Sequence, residues 1–129
     1  MRRSWWIAAV VAGLVAAVST PAPAVDADGR FAAKGWAAGS CEALVTAVED
    51  EESVDRPLFV GWVAGYLTAA NVYKDDTFDL APLAPMEALA NIILQQCRQN
   101  PDAAVVEVMI ALADQLEQQR LRSGRPVLE

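Results

Sequence analysis

The sequence predicts an all-α protein, a small four-helix domain with one short and three longer helices and a single disulfide. Three observations predict this class. Apolar residues recur at helical spacing between residues 41 and 116. Capping residues and prolines divide this region into four stretches. Two cysteines fall on the apolar sides of the first and third stretches.

The first 24 residues have the order of an export signal. Arg2 and Arg3 form a basic start, and residues 5–18 form an uncharged apolar segment. Small alanines at the end of residues 19–24 match the A-x-A site of signal peptidase, so we expect cleavage after Ala24. The alternative is an uncleaved anchor, which needs roughly 20 apolar residues. We expect the mature protein in the periplasm, with no membrane span.

The remaining chain divides into an arm, a domain and a tail. The predicted parts are a mostly flexible N-terminal arm over residues 25–39, the helical domain over 40–123 and a tail over 124–129. Phe31 and Trp36 are candidate tethers of the arm to the core.

Composition restricts the function of the mature chain. Without Arg2 and Arg3, eight basic residues stand against 17 acidic ones, a formal net charge of −9. Nucleic-acid binding needs concentrated Lys and Arg, so no such partner is expected. The chain has no histidine, hence no histidine-based triad or metal ligand. We expect no enzyme, no metal and no cofactor, and charge changes mainly where carboxylates titrate, around pH 4.

Capping and spacing predict the first two helices. Ser40 caps a short helix over about residues 41–48. Asp55 caps a second helix over about 57–73, which has a proline in its first turn. This second helix carries no charge from residue 58 onward, so we expect it to be the central helix of the bundle.

Two glycines in the second helix, and the bounds of the third and fourth helices, complete the prediction. Gly61 and Gly65 lie on one flank, where a partner helix could approach closely. A third helix is expected over about residues 85–99. The run Asn-Pro-Asp at 100–102 has the composition of a fourth helix start, and Ser-Gly at 123–124 should end that helix.

Cys41 and Cys97 lie on the core-facing sides of the first and third helices. An exported chain with two inward cysteines has one intramolecular pairing available, so we expect a disulfide between them. Intermolecular pairing or a reactive thiol are the alternatives. Closing a loop of about 57 residues stabilises a fold by roughly 4 kcal/mol in the chain-entropy view.

Three sequence blocks resemble the HdeA/HdeB family of periplasmic acid-stress chaperones. They are SCEAL at 40–44, RPLFVGW at 56–62, and LQQC at 94–97 followed by RQN at 98–100. Their order, with both cysteines correctly placed, covers roughly residues 40–118. The resemblance implies an all-helical fold with one disulfide, often a homodimer at neutral pH.

The same resemblance implies a function. Acid would dissociate and loosen the protein, and the exposed apolar surface would hold unfolding periplasmic client proteins. On this hypothesis the client-binding residues are apolar residues of the second helix: Leu58, Phe59, Trp62, Val63, Tyr66 and Leu67.

A second hypothesis is binding to one specific protein partner without chaperone activity. The helix segment from Gly61 to Tyr66 also resembles a Gly-Tyr helix in periplasmic immunity proteins of the Rap1a/Tai type, which neutralise a toxin by binding it. An acidic surface suits a basic partner.

Overall fold

A computed structural model describes residues 25–50 and 52–124. In this part of the chain the predicted all-α class is confirmed, with four α-helices: α1 Cys41–Val48, α2 Asp55–Tyr73, α3 Met86–Gln99 and α4 Val105–Leu116. Short 3₁₀ helices, Gly35–Ala38 and Glu117–Gln119, precede α1 and follow α4. The predicted signal peptide, its cleavage after Ala24 and tail residues 125–129 lie outside the described residues.

The described residues divide between Phe31 and Ala32 into two compact units. The described part of the first unit is a tight turn. Its Asp26 carboxylate accepts hydrogen bonds from the backbone amides of Asp28 and Arg30, and Gly29 completes the turn at a φ of +78°, which favours glycine. The hydrogen bond from the Arg30 backbone amide is the main cause that lowers the pKa of the Asp26 carboxyl, and the bond from the Asp28 amide acts in the same direction.

Helix α3 is the centre of the second unit, because it packs against α1, α2 and α4. The prediction that the second helix is central was wrong. Five residues of α3 are buried, whereas α2 buries three. The physical reason is that an absence of charge does not by itself produce burial: the uncharged helix α2 has one side against the core and one side in solvent.

The disulfide joins α1 to the central helix. The sulfurs of Cys41 and Cys97 are 2.06 Å apart, and both residues are fully buried. Leu44 and Val48 of α1 and Ile93 of α3 belong to the same buried core cluster. The predicted pairing is confirmed, and the alternatives of an intermolecular bond or a free thiol are excluded in this structure.

The starts of the first two helices differ in how they are capped. The Ser40 hydroxyl accepts a hydrogen bond from the Ala43 amide at 3.3 Å, as the sequence predicts. Helix α2 begins earlier than expected, at Asp55, so Asp55 is its first residue and not its cap. The cap position is Val54, which makes no side-chain hydrogen bond, and the Ser53 hydroxyl before it accepts from the Asp55 amide at 3.1 Å.

The fourth helix is shorter than predicted at both ends. Residues 101–104 form a turn whose carbonyls face α1: Pro101 accepts from the Glu42 amide and Ala103 from the Cys41 amide. Beyond α4 the chain extends, because Leu121 exchanges backbone hydrogen bonds with Asp79. Contacts between distant parts of the chain thus override the local helix signals at 100–102 and 123–124.

Part of the segment 25–39, predicted to be a flexible arm, is folded. Residues Gly35–Ala38 form one 3₁₀ turn that packs against α4, and Ala37 is buried. The ring of Trp36 meets the ring of Phe59 edge-on, with centroids 6.0 Å apart. Trp36 therefore tethers this turn to the inner side of α2.

Candidate interaction surface

The six residues predicted to hold clients all belong to α2, but they lie on both of its sides. Three are part of the core in the folded protein, and three reach solvent to different degrees. The core residues are Phe59, Val63 and Leu67; Trp62 and Tyr66 are half-buried, and Leu58 is 60% exposed. The folded structure therefore brings the set onto one helix without opening all of it to solvent.

A row of aromatic rings follows the border between the two sides of α2. The rings of Phe59 and Trp62 are stacked, and those of Trp62 and Tyr66 are tilted, with centroids 6.0 Å apart in each pair. Burial raises the pKa of the Tyr66 phenol, with Lys74 opposing that effect. The row is a continuous apolar strip whose edge is in contact with water.

The side of α2 away from the core is an apolar face in solvent. We call it the α2 outer face and define it as Leu58, Gly61, Gly65, Thr68, Ala69 and Val72, six exposed residues that share one side of a 3.6-residue helix, of which only Thr68 is polar. The side chain of Val72 is 70% exposed. Sequence reasoning missed this exposure, although the glycine spacing indicated that this flank was special.

The two glycines of the α2 outer face are not required by the fold. A Cβ atom built on either Gly61 or Gly65 meets no heavy atom within 4 Å. Neither glycine has a positive φ. Since glycine costs about 1 kcal/mol relative to alanine inside a helix, the protein's own packing gives no reason for these two residues.

The N-terminal end of α2 is tied to α3 by Arg56. One guanidinium nitrogen of Arg56 donates to the Asn91 side-chain oxygen at 2.8 Å. The same nitrogen lies 3.4 Å from a carboxylate oxygen of Glu87, whose side chain is 62% exposed. These two contacts hold the start of α2 against α3.

The C-terminal end of α2 is tied to α4 by the residue that follows it, Lys74. The ammonium nitrogen of Lys74 donates to Glu117 at 2.8 Å and to Asp114 at 3.3 Å. Arg120 adds a contact to the Glu117 backbone carbonyl at 2.6 Å. The two Lys74 contacts join the end of α2 to the end of α4.

The contacts at the C-terminal end of α2 shift the pKa values of Lys74 and Glu117. The hydrogen bond from Lys74 holds the pKa of Glu117 below its ordinary value, and the charge of the same ammonium acts in the same direction. The hydrogen bond to Glu117 raises the pKa of Lys74 against the opposing effect of burial, and Asp114 adds to the rise. Both shifts favour the charged pair.

A further ion pair joins α1 to α3. The guanidinium of Arg98 lies 3.6 Å from a carboxylate oxygen of Glu49. Glu49 is the residue that follows α1, and the disulfide also connects α1 to α3, so loss of the ion pair would leave the two helices covalently attached. Helix α2 has no covalent link of its own to another helix, but it lies inside the chain loop that Cys41 and Cys97 close.

A second apolar surface lies between α3 and α4. It is an open groove of about 270 Å³ with Ile92, Ile93, Val108 and Leu112 among its lining residues. Polar side chains including Glu107 complete the lining. No residue of α2 contributes to this groove, so it is separate from the predicted client-binding set.

The described residues offer few groups for other chemistry. Across residues 25–50 and 52–124, no polar or charged side chain is buried, and no three potential metal ligands cluster together. In the same part of the chain, no helix combines the length and apolarity needed to cross a membrane.

The chain matches none of the protein-family models, curated proteins or solved structures with which it was compared. Function is therefore argued from the geometry of α2 and its contacts.

Proposed function

We propose that this protein is an acid-stress chaperone of the periplasm, which loosens at low pH and holds unfolding client proteins on the apolar residues of α2. One observation carries the proposal. Helix α2 is tied at each end by ion pairs to carboxylates in contact with solvent, and it lies inside the loop closed by the disulfide.

Acid acts on both ends of α2 at once. Protonation of Glu87 removes the charge that faces Arg56, and protonation of Asp114 and Glu117 removes the charges that face Lys74. Arg56 and Lys74 stay positively charged, and the whole chain becomes strongly cationic, which adds repulsion. The ion pairs at both ends of α2 are then lost together, and the apolar packing of its buried side chains alone opposes the repulsion.

Release of α2 would provide a client-binding surface. The buried side chains Phe59, Val63 and Leu67 lie on the side that faces the core, and the half-buried rings of Trp62 and Tyr66 adjoin them. Full burial of a large apolar side chain stabilises by about 1.5–3 kcal/mol. Once uncovered, such side chains bind the apolar segments of another unfolding protein for the same physical reason.

The disulfide limits how far the protein opens. Cys41 and Cys97 keep α1 beside α3 after the ion pairs are gone, and α2 remains tethered at both ends within the closed loop. The released helix is therefore available to a client, and the chain retains a path back to the folded state. A disulfide is also compatible with the oxidising periplasm, where the proposed export signal would send the chain.

The experiment compares the protein at pH 7 and at pH 2–3. Dye fluorescence with ANS reports exposed apolar surface, and light scattering reports the aggregation of an acid-sensitive client protein. The expected result is a rise in ANS fluorescence and suppression of aggregation in acid. The proposal is wrong if the folded signal and the ANS signal stay unchanged down to pH 2, or if the client aggregates equally with and without the protein.

A variant set tests the role of the ion pairs. Glu87→Gln, Asp114→Asn and Glu117→Gln together reproduce the uncharged side chains, so client protection should begin at a higher pH. The control variant changes three exposed acids that make no ion pair among the described residues: Glu42→Gln, Asp102→Asn and Glu107→Gln. It removes the same charge and should leave the pH of onset nearer that of the natural chain.

A further inference from the structure

The start of the aromatic row on α2 is covered in the folded protein by a short segment of the same chain. This segment is the 3₁₀ turn Gly35–Ala38, with the sequence Gly-Trp-Ala-Ala, and we call it the arm turn. The Trp36 ring meets the Phe59 ring edge-on, with the two planes at 81° and the centroids 6.0 Å apart. Phe59 is fully buried, so Trp36 and the core together exclude water from it.

The backbone at Gly35 makes a second contact with the row. A Cβ atom at this position would lie 3.8 Å from the indole nitrogen of Trp62, so the glycine backbone passes close to that ring. Gly35 has a φ of +58°, in the left-handed region that favours glycine. The arm turn therefore contacts the first two rings of the row through one aromatic ring and the backbone of a glycine.

Apolar contacts and backbone hydrogen bonds hold the arm turn, and none of its four residues is charged. Gly39, directly after it, accepts a hydrogen bond from the Val105 amide at 3.1 Å, and the Cys41 amide donates to the Ala103 carbonyl at 2.8 Å. Ala37 is buried, and the turn packs against α4. Because the turn itself carries no side chain that acid protonates, its apolar chemistry is the same at pH 7 and at pH 2.

The disulfide keeps the arm turn close to α2 in the acid-loosened protein as well. Trp36 is five residues before Cys41, which is bonded to Cys97, so the Cα atoms of Trp36 and Cys41 stay within about 18 Å of each other. Helix α2 lies inside the loop that these cysteines close, and the arm turn lies outside it. A ligand on a short linker acts at an effective concentration of the order of millimolar. The arm turn therefore competes with any client for the released row.

We infer that the arm turn is an internal ligand of the client-binding surface, and that the clients which displace it present an aromatic residue between small, uncharged residues. This inference rests on the proposed chaperone function and names the class of client segment that its surface binds. A displacing segment has to place an aromatic ring edge-on against Phe59, with no bulky neighbour that holds its backbone away from Trp62. These two rings are three residues apart, so they stay neighbours while α2 stays helical.

The first test measures the binding of three rhodamine-labelled peptides to the natural chain at pH 2–3 by fluorescence anisotropy. The peptides share serine and glycine flanks and differ in their centres, which are Gly-Trp-Ala-Ala, Gly-Ala-Ala-Ala and Leu-Trp-Leu-Ala. We expect the first peptide to bind at least tenfold more tightly than the second, and more tightly than the third. Simple apolar adhesion predicts that the leucine peptide binds most tightly, and that result would overturn the inference.

The second test removes the internal ligand. In Trp36→Ala the row has no competitor, so the affinity for the Gly-Trp-Ala-Ala peptide at pH 2–3 should rise at least tenfold over that of the natural chain. Trp36→Phe is the matched control, because it keeps an aromatic ring and should change the affinity much less. Leu44→Ala removes a fully buried side chain of α1 and loosens the fold without altering Trp36. An equal gain in Leu44→Ala would assign the effect to loosening and overturn the inference.

Light scattering with an acid-sensitive client separates this inference from the proposed function. If the natural chain protects the client but Trp36→Ala binds the peptide no more tightly, the internal ligand is wrong and the chaperone function stands. If Trp36→Ala gains peptide affinity but neither chain protects the client, the internal ligand is supported and the chaperone function is wrong. Absence of both peptide binding and client protection contradicts both proposals.

Discussion

The ammonium of Lys74 lies 2.8 Å from the Glu117 carboxylate and thereby ties the end of α2 to the end of α4. The Lys74 side chain is 27% exposed and that of Glu117 is 38% exposed. Water therefore screens this pair less than a fully exposed one. Both members of the pair are titratable, so the strength of this contact depends on pH.

The first prediction concerns the pH range of this pair. Glu117 has a lowered pKa, so its stabilisation is complete above the ordinary glutamate range and disappears as the pH falls through the lowered value. Lys74 has a raised pKa, so its stabilisation is complete below the ordinary lysine range and disappears as the pH rises through the raised value. The pair should therefore stabilise the fold from about pH 5 to about pH 10.

Glu117→Gln measures this contribution. The variant should unfold more readily than the natural chain at pH 7, and the difference should shrink as the pH falls below the ordinary glutamate range. Urea unfolding followed by circular dichroism, at a series of pH values from 7 down to the pH at which the natural chain loosens, gives the comparison. The control is Glu107→Gln on the exposed side of α4. A difference between Glu117→Gln and the natural chain that stays unchanged over this range would contradict the assigned role.

The second prediction separates the two sides of α2. Phe59→Ala removes a fully buried ring that contacts Trp36 and Trp62, and should lower the free energy of unfolding by about 3–5 kcal/mol. Leu58→Ala changes a side chain that is 60% exposed and should cost less than about 1 kcal/mol. Denaturant titration of both variants at pH 7 checks this contrast. Equal losses of unfolding free energy for the two variants would contradict a helix α2 that buries Phe59 and exposes Leu58.

The helices and the disulfide could be predicted because their signals are local. Ser40 caps α1 in the predicted way, and the helical phase of Cys41 and Cys97 puts both sulfurs on the core side. Each of these inferences depends on neighbours within one or two turns of the same helix. Such neighbours are fixed by the sequence itself.

The parts that sequence reasoning missed depend on contacts between distant residues. The fourth helix begins at Val105 because carbonyls of the turn before it accept hydrogen bonds from amides of α1, and it ends at Leu116 because Leu121 pairs with Asp79. The exposure of Gly61 and Gly65 was missed for a similar reason. A helix with no charge looks buried on every side until the positions of its neighbours are known.

The third prediction concerns a buried backbone amide in the loop after α2. The Asn71 side-chain oxygen accepts a hydrogen bond from the Leu80 amide at 2.8 Å, and Leu80 is fully buried. Asn71→Ala leaves that donor without its partner, so it should cost about 1–3 kcal/mol. Thermal unfolding measures the loss. Asn91→Ala, which removes an exposed contact to Arg56, is the control and should cost less.

The fourth prediction addresses the disulfide in both the folded and the acid-loosened state. Cys41→Ala with Cys97→Ala removes the link between α1 and α3 and should cost about 2–5 kcal/mol at pH 7. At pH 2–3 the same variant should expand further than the natural chain, because nothing covalent then holds α1 beside α3. Small-angle scattering at both pH values measures the radius of gyration, and return to pH 7 measures recovery of the fold. Equal radii in acid for the natural chain and the variant would show that the disulfide stabilises the fold but does not limit its opening.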